Sequence, residues 1–470
     1  MFKVQRIVDA FKFYTFSFEL KMMSDQQNTN ELGSKDVKKL LWQYSIPAIV
    51  GTTATSLYNI IDRIFIGNGV GDLALSGLAI TFPVMNLLVA FGALVGAGAS
   101  AMVSIRLGER NRERAIATLC NALLLNLTLS LMLLVSVFFF LDPILFAFGA
   151  SEDTLPFAKD FITIILCGIS FTHIYFGLNN VMRASGYPKK AMLTTLITVG
   201  VNVVLAPLYI FVFGWGIKGA AFATVCAQAV GATQVLWHFS QEKHHVHFCR
   251  KFFHFDFSIV KEIFSIGMSP FFMNISASGV NLLVNLSLKQ HGGDLAIGAF
   301  GVISAVLGIF AMMMFGLNQG MQPIVGFNYG AKQFKRVRKV FKLTVMVSTS
   351  ICVVAFIVGQ GFPHLIAQVF VQSEVMIDHV VTGMRLCMLM FPIVGFQMTT
   401  SGFFQSIGKA KISVFLTLSR QLLFLIPMLL IFPHFWGLNG VWLSMSASDF
   451  LAAVVTGAVL LWQLKKILPR

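Results

Sequence analysis

Twelve apolar runs, each about 20 residues or longer, divide this 470-residue chain. They lie at 44–66, 73–101, 116–141, 157–182, 190–213, 217–238, 263–288, 295–327, 340–360, 381–404, 410–432 and 438–462. A helix of that length matches the hydrocarbon thickness of a bilayer. No water is present there to satisfy backbone groups, so each run must close its own hydrogen bonds as an α-helix. The chain is 56% hydrophobic and only 12% charged, too little charge to cover a soluble surface. The expected fold is an all-α membrane protein of twelve transmembrane helices, spans one to twelve.

A net charge of +15 in a soluble protein would suggest a nucleic-acid partner. The placement of the charge excludes that reading. Outside the runs or in their first two residues, 28 Lys and Arg fall in the N-terminal segment, in alternate connections and in the tail, against two in the intervening connections. Loops rich in Lys and Arg stay in the cytoplasm, so both termini are expected there, against anionic lipid. The six Cys include no CxxC pair, so neither a disulfide framework nor a metal knuckle is expected. No GxxxxGK[ST] pattern occurs, so ATP drive is unsupported, and no cofactor is expected. Residues 1–22 are mildly amphipathic and lack a signal-peptide core; translation could equally start at Met22 or Met23.

The chain also repeats itself. At a shift of 222 residues Asn59 falls on Asn281, GDLA at 71–74 on GDLA at 293–296, Gly98 on Gly320 and Gly108 on Gly330. Arg114 falls on Arg336, Phe148 on Phe370 and Gly186 on Gly408. Each unit carries six helices. An even number gives both units the same orientation, related by a pseudo-twofold axis along the membrane normal. The resulting division is a leader at 1–43, an N-lobe at 44–238, a linker at 239–262 and a C-lobe at 263–470. Two such lobes around a cleft suit an alternating-access transporter, expected to act as a monomer, better than a pore or an enzyme.

Charge inside the spans is scarce and therefore informative. Asp62, in SLYNIIDRIFIG (56–67), lies 18 residues into span one, roughly 27 Å from its cytoplasmic end. Asn202 on span five and Thr224 on span six reach the same half of the membrane. A carboxylate, an amide oxygen and a hydroxyl can surround a proton or small cation. The alternative is that Asp62 pairs with Arg63 or caps a helix end. Arg63 points about 100° away, so it more readily snorkels or pairs elsewhere. Arg420 and Asp449 both stand about 13–14 Å from the cytoplasmic boundary. They read as an interhelix ion pair or as a substrate or coupling site. His173 reads as a packing histidine or a proton relay, and HFSQEKHHVHFCRKFFHF (238–255) as solvated linker without zinc spacing. AMMMF (311–315) offers an adaptable surface. Pro47, 15 residues before Asp62, can bend span one.

At these residues the chain resembles the multidrug and toxic compound extrusion (MATE) family, in the branch of the MepA and DinF exporters. The matching stretches are SLYNIIDRIFIG, NNVMRASGYPKKAM (179–192), GIKGAAFATVCAQ (216–228), GMQPIVGFNYG (320–330), FFQSIGKAK (403–411), SRQLLFLIPMLL (419–430) and WGLNGVWLSMSASD (436–449). The resemblance implies cation-coupled antiport, with H⁺ or Na⁺ entering as amphipathic, often cationic, organic compounds leave. It also implies that Asp62 binds the coupling ion, with Asn202 and Thr224 as partners and Pro47 as the hinge. One departure matters. Relatives commonly read N-x-x-L-D-P on span five, where this chain has Ala206 before Pro207. A Na⁺ site would lose one of two carboxylates, which favours H⁺. Ser185 stands where relatives often carry Glu. A lipid-linked oligosaccharide flippase of the same superfamily is the alternative, disfavoured by few intramembrane cations. A membrane acyl- or prenyl-transferase would need a clustered catalytic motif that the chain lacks.

Overall fold

The computed structural model describes residues 31–371 and 373–467. Most of the expected leader, including 1–22 and the candidate starts at Met22 and Met23, lies outside the described residues. Span one is the helix Val37–Gly69, opened by Asp36, whose carboxylate accepts from the Lys38 and Lys39 amides at 3.1 and 3.2 Å. Span two is Asp72–Gly108 and span three Arg112–Phe139, capped by Asn111. Span four is two helices, Leu155–Cys167 and Ile169–Ala184, bent by 57°. Span five is Pro188–Pro207 with a widened π turn over Leu208–Val212, and span six is Gly216–Phe239.

The second half repeats these irregularities. Span ten is again a bent pair, Glu374–Cys387 and Phe391–Ser406, at 54°. Span eleven, beginning with Ala410–Leu418, again carries a π turn, Ser419–Leu425. Spans seven and eight form one helical stretch, Phe257–Gly330, broken at Gly293, where φ is 66°. Span nine is Phe334–Gly361. The stretch Ile426–Ile467 completes span eleven, breaks at Gly437 with φ of 53°, and continues as span twelve. A positive φ is nearly free for glycine, which lets both reversals occur with almost no loop.

Apolar packing shows how the lobes meet. One core joins both lobes at the Lys- and Arg-rich end, with Leu41, Leu107 and Ile116 against Ile263, Ile324 and Phe404. At the opposite end the cores are separate: Ile66, Ala74 and Ile217 belong to the N-lobe, and Leu288, Ala296 and Val441 to the C-lobe. The lobes thus close on the basic end and part towards the other. Close backbone approach makes the closed seam. A Cβ at Gly316 would lie 2.5 Å from Ile49 Cα, and one at Gly320 2.6 Å from Ser45 Cα. A Cβ on Gly108 would strike Phe327 O, and one on Gly330 would strike Ile105 O. Gly108 and Gly330 are repeat partners, and so are Ile105 and Phe327. This exchange of contacts is what a pseudo-twofold axis requires. Arg106 crosses the seam to Glu262 at 3.0 Å, and Arg183 Nη1 donates to Gln319 Oε1 at 2.6 Å.

The connection at 239–262 differs from the expected solvated linker. Phe239, His244 and Val246 are buried, Phe239 and Val246 in the core that joins the lobes. Arg112 Nε donates to His245 O at 2.7 Å, and the Asp256 amide donates to Asn121 Oδ1 at 2.9 Å. The apolar residues scattered among these charges bury themselves, and the histidines stack rather than ligate, with His238 and His244 ring centroids 4.0 Å apart. Val246 is 1% exposed, so Val246→Asp would bury an unpaired charge. The expected cost is about 3 kcal/mol, read as a lowered Tm of the purified protein. An unchanged Tm would mean that the segment is not docked.

Candidate functional site

Thr55, Tyr58 and Asp62 are spaced by three and four residues, so they share one face of span one. Thr55 and Tyr58 line a small cavity inside the N-lobe with Tyr175 of span four, Thr198 and Asn202 of span five, and Thr224 and Gln228 of span six. Its volume is about 10 Å³, the room that one water or one small cation needs. Asp62 is not among the lining residues. It lies one turn beyond Tyr58, towards the open end of the cleft.

The hydrogen bonds set the polarity of the cavity. Thr224 Oγ1 donates to Ala220 O at 3.1 Å, which uses its only proton. It can then only accept, and it does so from Asn202 Nδ2 at 3.2 Å. The Asn202 amide is thereby oriented, and its Oδ1 is buried without a hydrogen-bond partner. Asp62 Oδ1 is buried and without a partner in the same way. Two buried oxygen acceptors without donors are costly as they stand, and a proton or cation would stabilise them.

Other residues singled out in the sequence have clear places. Arg63 turns from Asp62 and sets its guanidinium carbon 5.8 Å from the ring centroid of Phe82 on span two. Pro47 is buried within unbroken helix, between Ser45 and Ile49, the two points where span one touches Gly320 and Gly316. His173 is held by span three and span two together, with Nδ1 2.9 Å from Ser130 Oγ and Nε2 2.9 Å from Leu88 O. Both ring nitrogens are thus engaged in interhelix bonds. Ala206 is fully buried in the N-lobe apolar core. In the C-lobe, Arg420 Nε donates to Asp449 Oδ1 at 2.6 Å.

Sequence reasoning missed Tyr58, Tyr175 and Gln228. Tyr58 had a signal, since it precedes Asp62 by one helical turn. The other two gave none, because an aromatic or an amide in a greasy helix reads equally as packing.

Comparison with known proteins agrees with this architecture. The MatE family model matches residues 47–208 and again 270–431. The multidrug export protein MepA of Staphylococcus aureus (strain N315) is 26% identical over 418 residues, covering 89% of this chain and 92% of that one. MepA of Staphylococcus haemolyticus is 25% identical over 88% of this chain and 91% of its own length. Among solved structures, an outward-facing multidrug resistance MATE transporter superposes with a TM-score of 0.87 at 25% identity, covering 94% of this chain and 98% of that one. The MATE multidrug transporter DinF-BH, solved in complex with R6G, superposes with a TM-score of 0.86 at 35% identity, over 93% of this chain and 98% of its own. With a cleft between two six-helix lobes and the family pattern in each half, the chain belongs to the MatE family of membrane transporters.

Proposed function

We propose that this protein is an antiporter of the cell inner membrane that exports amphipathic, often cationic, organic compounds in exchange for an entering cation. The basic end faces the cytoplasm, so the lobes as described are closed inside and open outside. Named relatives are multidrug exporters, which supports the substrate class. The observation that carries the coupling role is Asp62 Oδ1, buried, without a partner and one turn from a polar cavity. We read the ion as H⁺ rather than Na⁺. Ala206 removes the second carboxylate, and a hard cation would keep only one charged ligand beside neutral oxygens.

The mechanism follows from the single carboxylate. Ionised Asp62 attracts a cationic substrate, and protonated Asp62 does not, so ion and substrate compete for one charge. Span one carries both Asp62 and the seam residues Ser45 and Ile49, so a bend at Pro47 would link the ion site to closure of the lobes. The test is efflux of a fluorescent organic cation from proteoliposomes, with a pH gradient and a Na⁺ gradient imposed separately. A pH gradient alone should drive transport. Transport that needs Na⁺ overturns the H⁺ assignment, and transport under neither gradient overturns the export reading.

A further inference from the structure

The C-lobe repeats the helix plan of the N-lobe with different chemistry. At the 222-residue shift Asp62 falls on Val284, so span seven has no acid there. In the reverse direction Arg420 and Asp449 fall on Thr198 and Ala227. At a shift of 221, which aligns the Trp-Gly pairs at 215 and 436, they fall on Val199 and Gln228. All four of those residues line the N-lobe cavity. The ion pair therefore occupies the place where the first lobe keeps its polar cavity.

The two partners are unequally exposed. The Asp449 side chain is 6% exposed and that of Arg420 is 34%. Only Nε of the guanidinium meets the carboxylate. Its two terminal amino groups make no hydrogen bond among the described residues, and neither is buried. A charge open to this extent within a span is costly against hydrocarbon, which favours water between the lobes as the surroundings of its free edge. Two parallel N–H groups on a planar fork suit a carboxylate or similar planar anion. Asp449 behind the fork keeps the local net charge near zero, so a purely cationic compound is not repelled.

We infer that Arg420, held by Asp449, forms a C-lobe subsite for the anionic group of a transported compound, such as the carboxylate of a zwitterionic amphiphile. The cleft then offers an acid from one lobe and a guanidinium from the other. This inference rests on the export reading above.

Two probes of nearly equal shape test it: rhodamine 6G, a cationic ethyl ester, and the zwitterionic free acid made by hydrolysing that ester. Binding to the purified full-length protein is read by fluorescence anisotropy. Wild type binds both. Arg420→Gln weakens the acid about tenfold or more and the ester less than about twofold. Arg420→Lys keeps the charge but loses the fork, and weakens the acid by about threefold. Arg420→Gln leaves Asp449 buried alone, so Arg420→Gln/Asp449→Asn serves as the folded control and should lose the same selectivity. Equal losses for both probes, or unchanged acid binding in the double variant, overturn the subsite. Wild type that binds the ester but not the acid also overturns it and leaves the export reading standing. Wild type that binds neither probe overturns both.

Discussion

Asp62→Asn protein should fold, bind an organic cation weakly, and export none of it under a pH gradient. Asparagine has the shape of aspartate but neither gains nor loses a proton near neutral pH. The change also removes the desolvation cost of a buried charge, so stability should hold or rise slightly. Export should fall to the leak rate of protein-free liposomes, because the cavity beside Asp62 is lined by no acid that could take over its charge. Counterflow of labelled against unlabelled cation, which needs no ion gradient, should persist at a reduced rate. Retained gradient-driven export in this variant would sink the role given to Asp62. Loss of counterflow as well would point to a defect in the lobe movement rather than in coupling.

The second large effect concerns the seam. In Gly316→Leu/Gly320→Leu each new Cβ would lie about 2.5 Å or slightly more from backbone atoms of span one. Backbone cannot yield as a side-chain tip can, so span eight must separate from span one. Overpacking of this kind costs about 1–3 kcal/mol per site. Together the two sites shift the balance between closed and open seams by about 30-fold to 10⁴-fold. Each lobe keeps its own core at the opposite end, so the protein should still fold. A cysteine placed at Ser104, which is fully buried and meets Gly326 across the seam, reports the outcome. In inside-out vesicles its labelling by an impermeant maleimide should be slow in the parent and fast in the double variant. Equal labelling rates would mean that these glycines do not hold the seam.

Much of this architecture is legible in the residues, because a bilayer allows so few solutions. Run length marks the spans, and Lys and Arg mark the ends. The repeat could be aligned on glycines because glycine is irreplaceable where backbones touch, as at Gly108 and Gly330. Asp62 stood out because charge in a span is expensive. The rest depended on three-dimensional register. Helical rise placed Asp62, Asn202 and Thr224 at similar depth, yet depth does not say which way a side chain faces, and Asp62 stands a turn away from the cavity lining. Arg183 counted as one of the basic-end charges, whereas it is buried and bonded to Gln319 across the seam. The docked linker was hidden for a related reason. Its charged residues dominate any average, while a few apolar residues such as Phe239 and Val246 carry its packing.

That docked segment sets the mechanics of the molecule. Its last residue before span seven, Asp256, is tied by its amide to Asn121 of span three and by its carboxylate to the first amides of span seven. The connection therefore has almost no slack, and the start of span seven acts as a fulcrum fixed to the N-lobe. In the alternating-access reading proposed above, the C-lobe would swing about this point rather than slide away from it. Displacement then grows with distance from the fulcrum, and the long arm is the far, open end of the cleft.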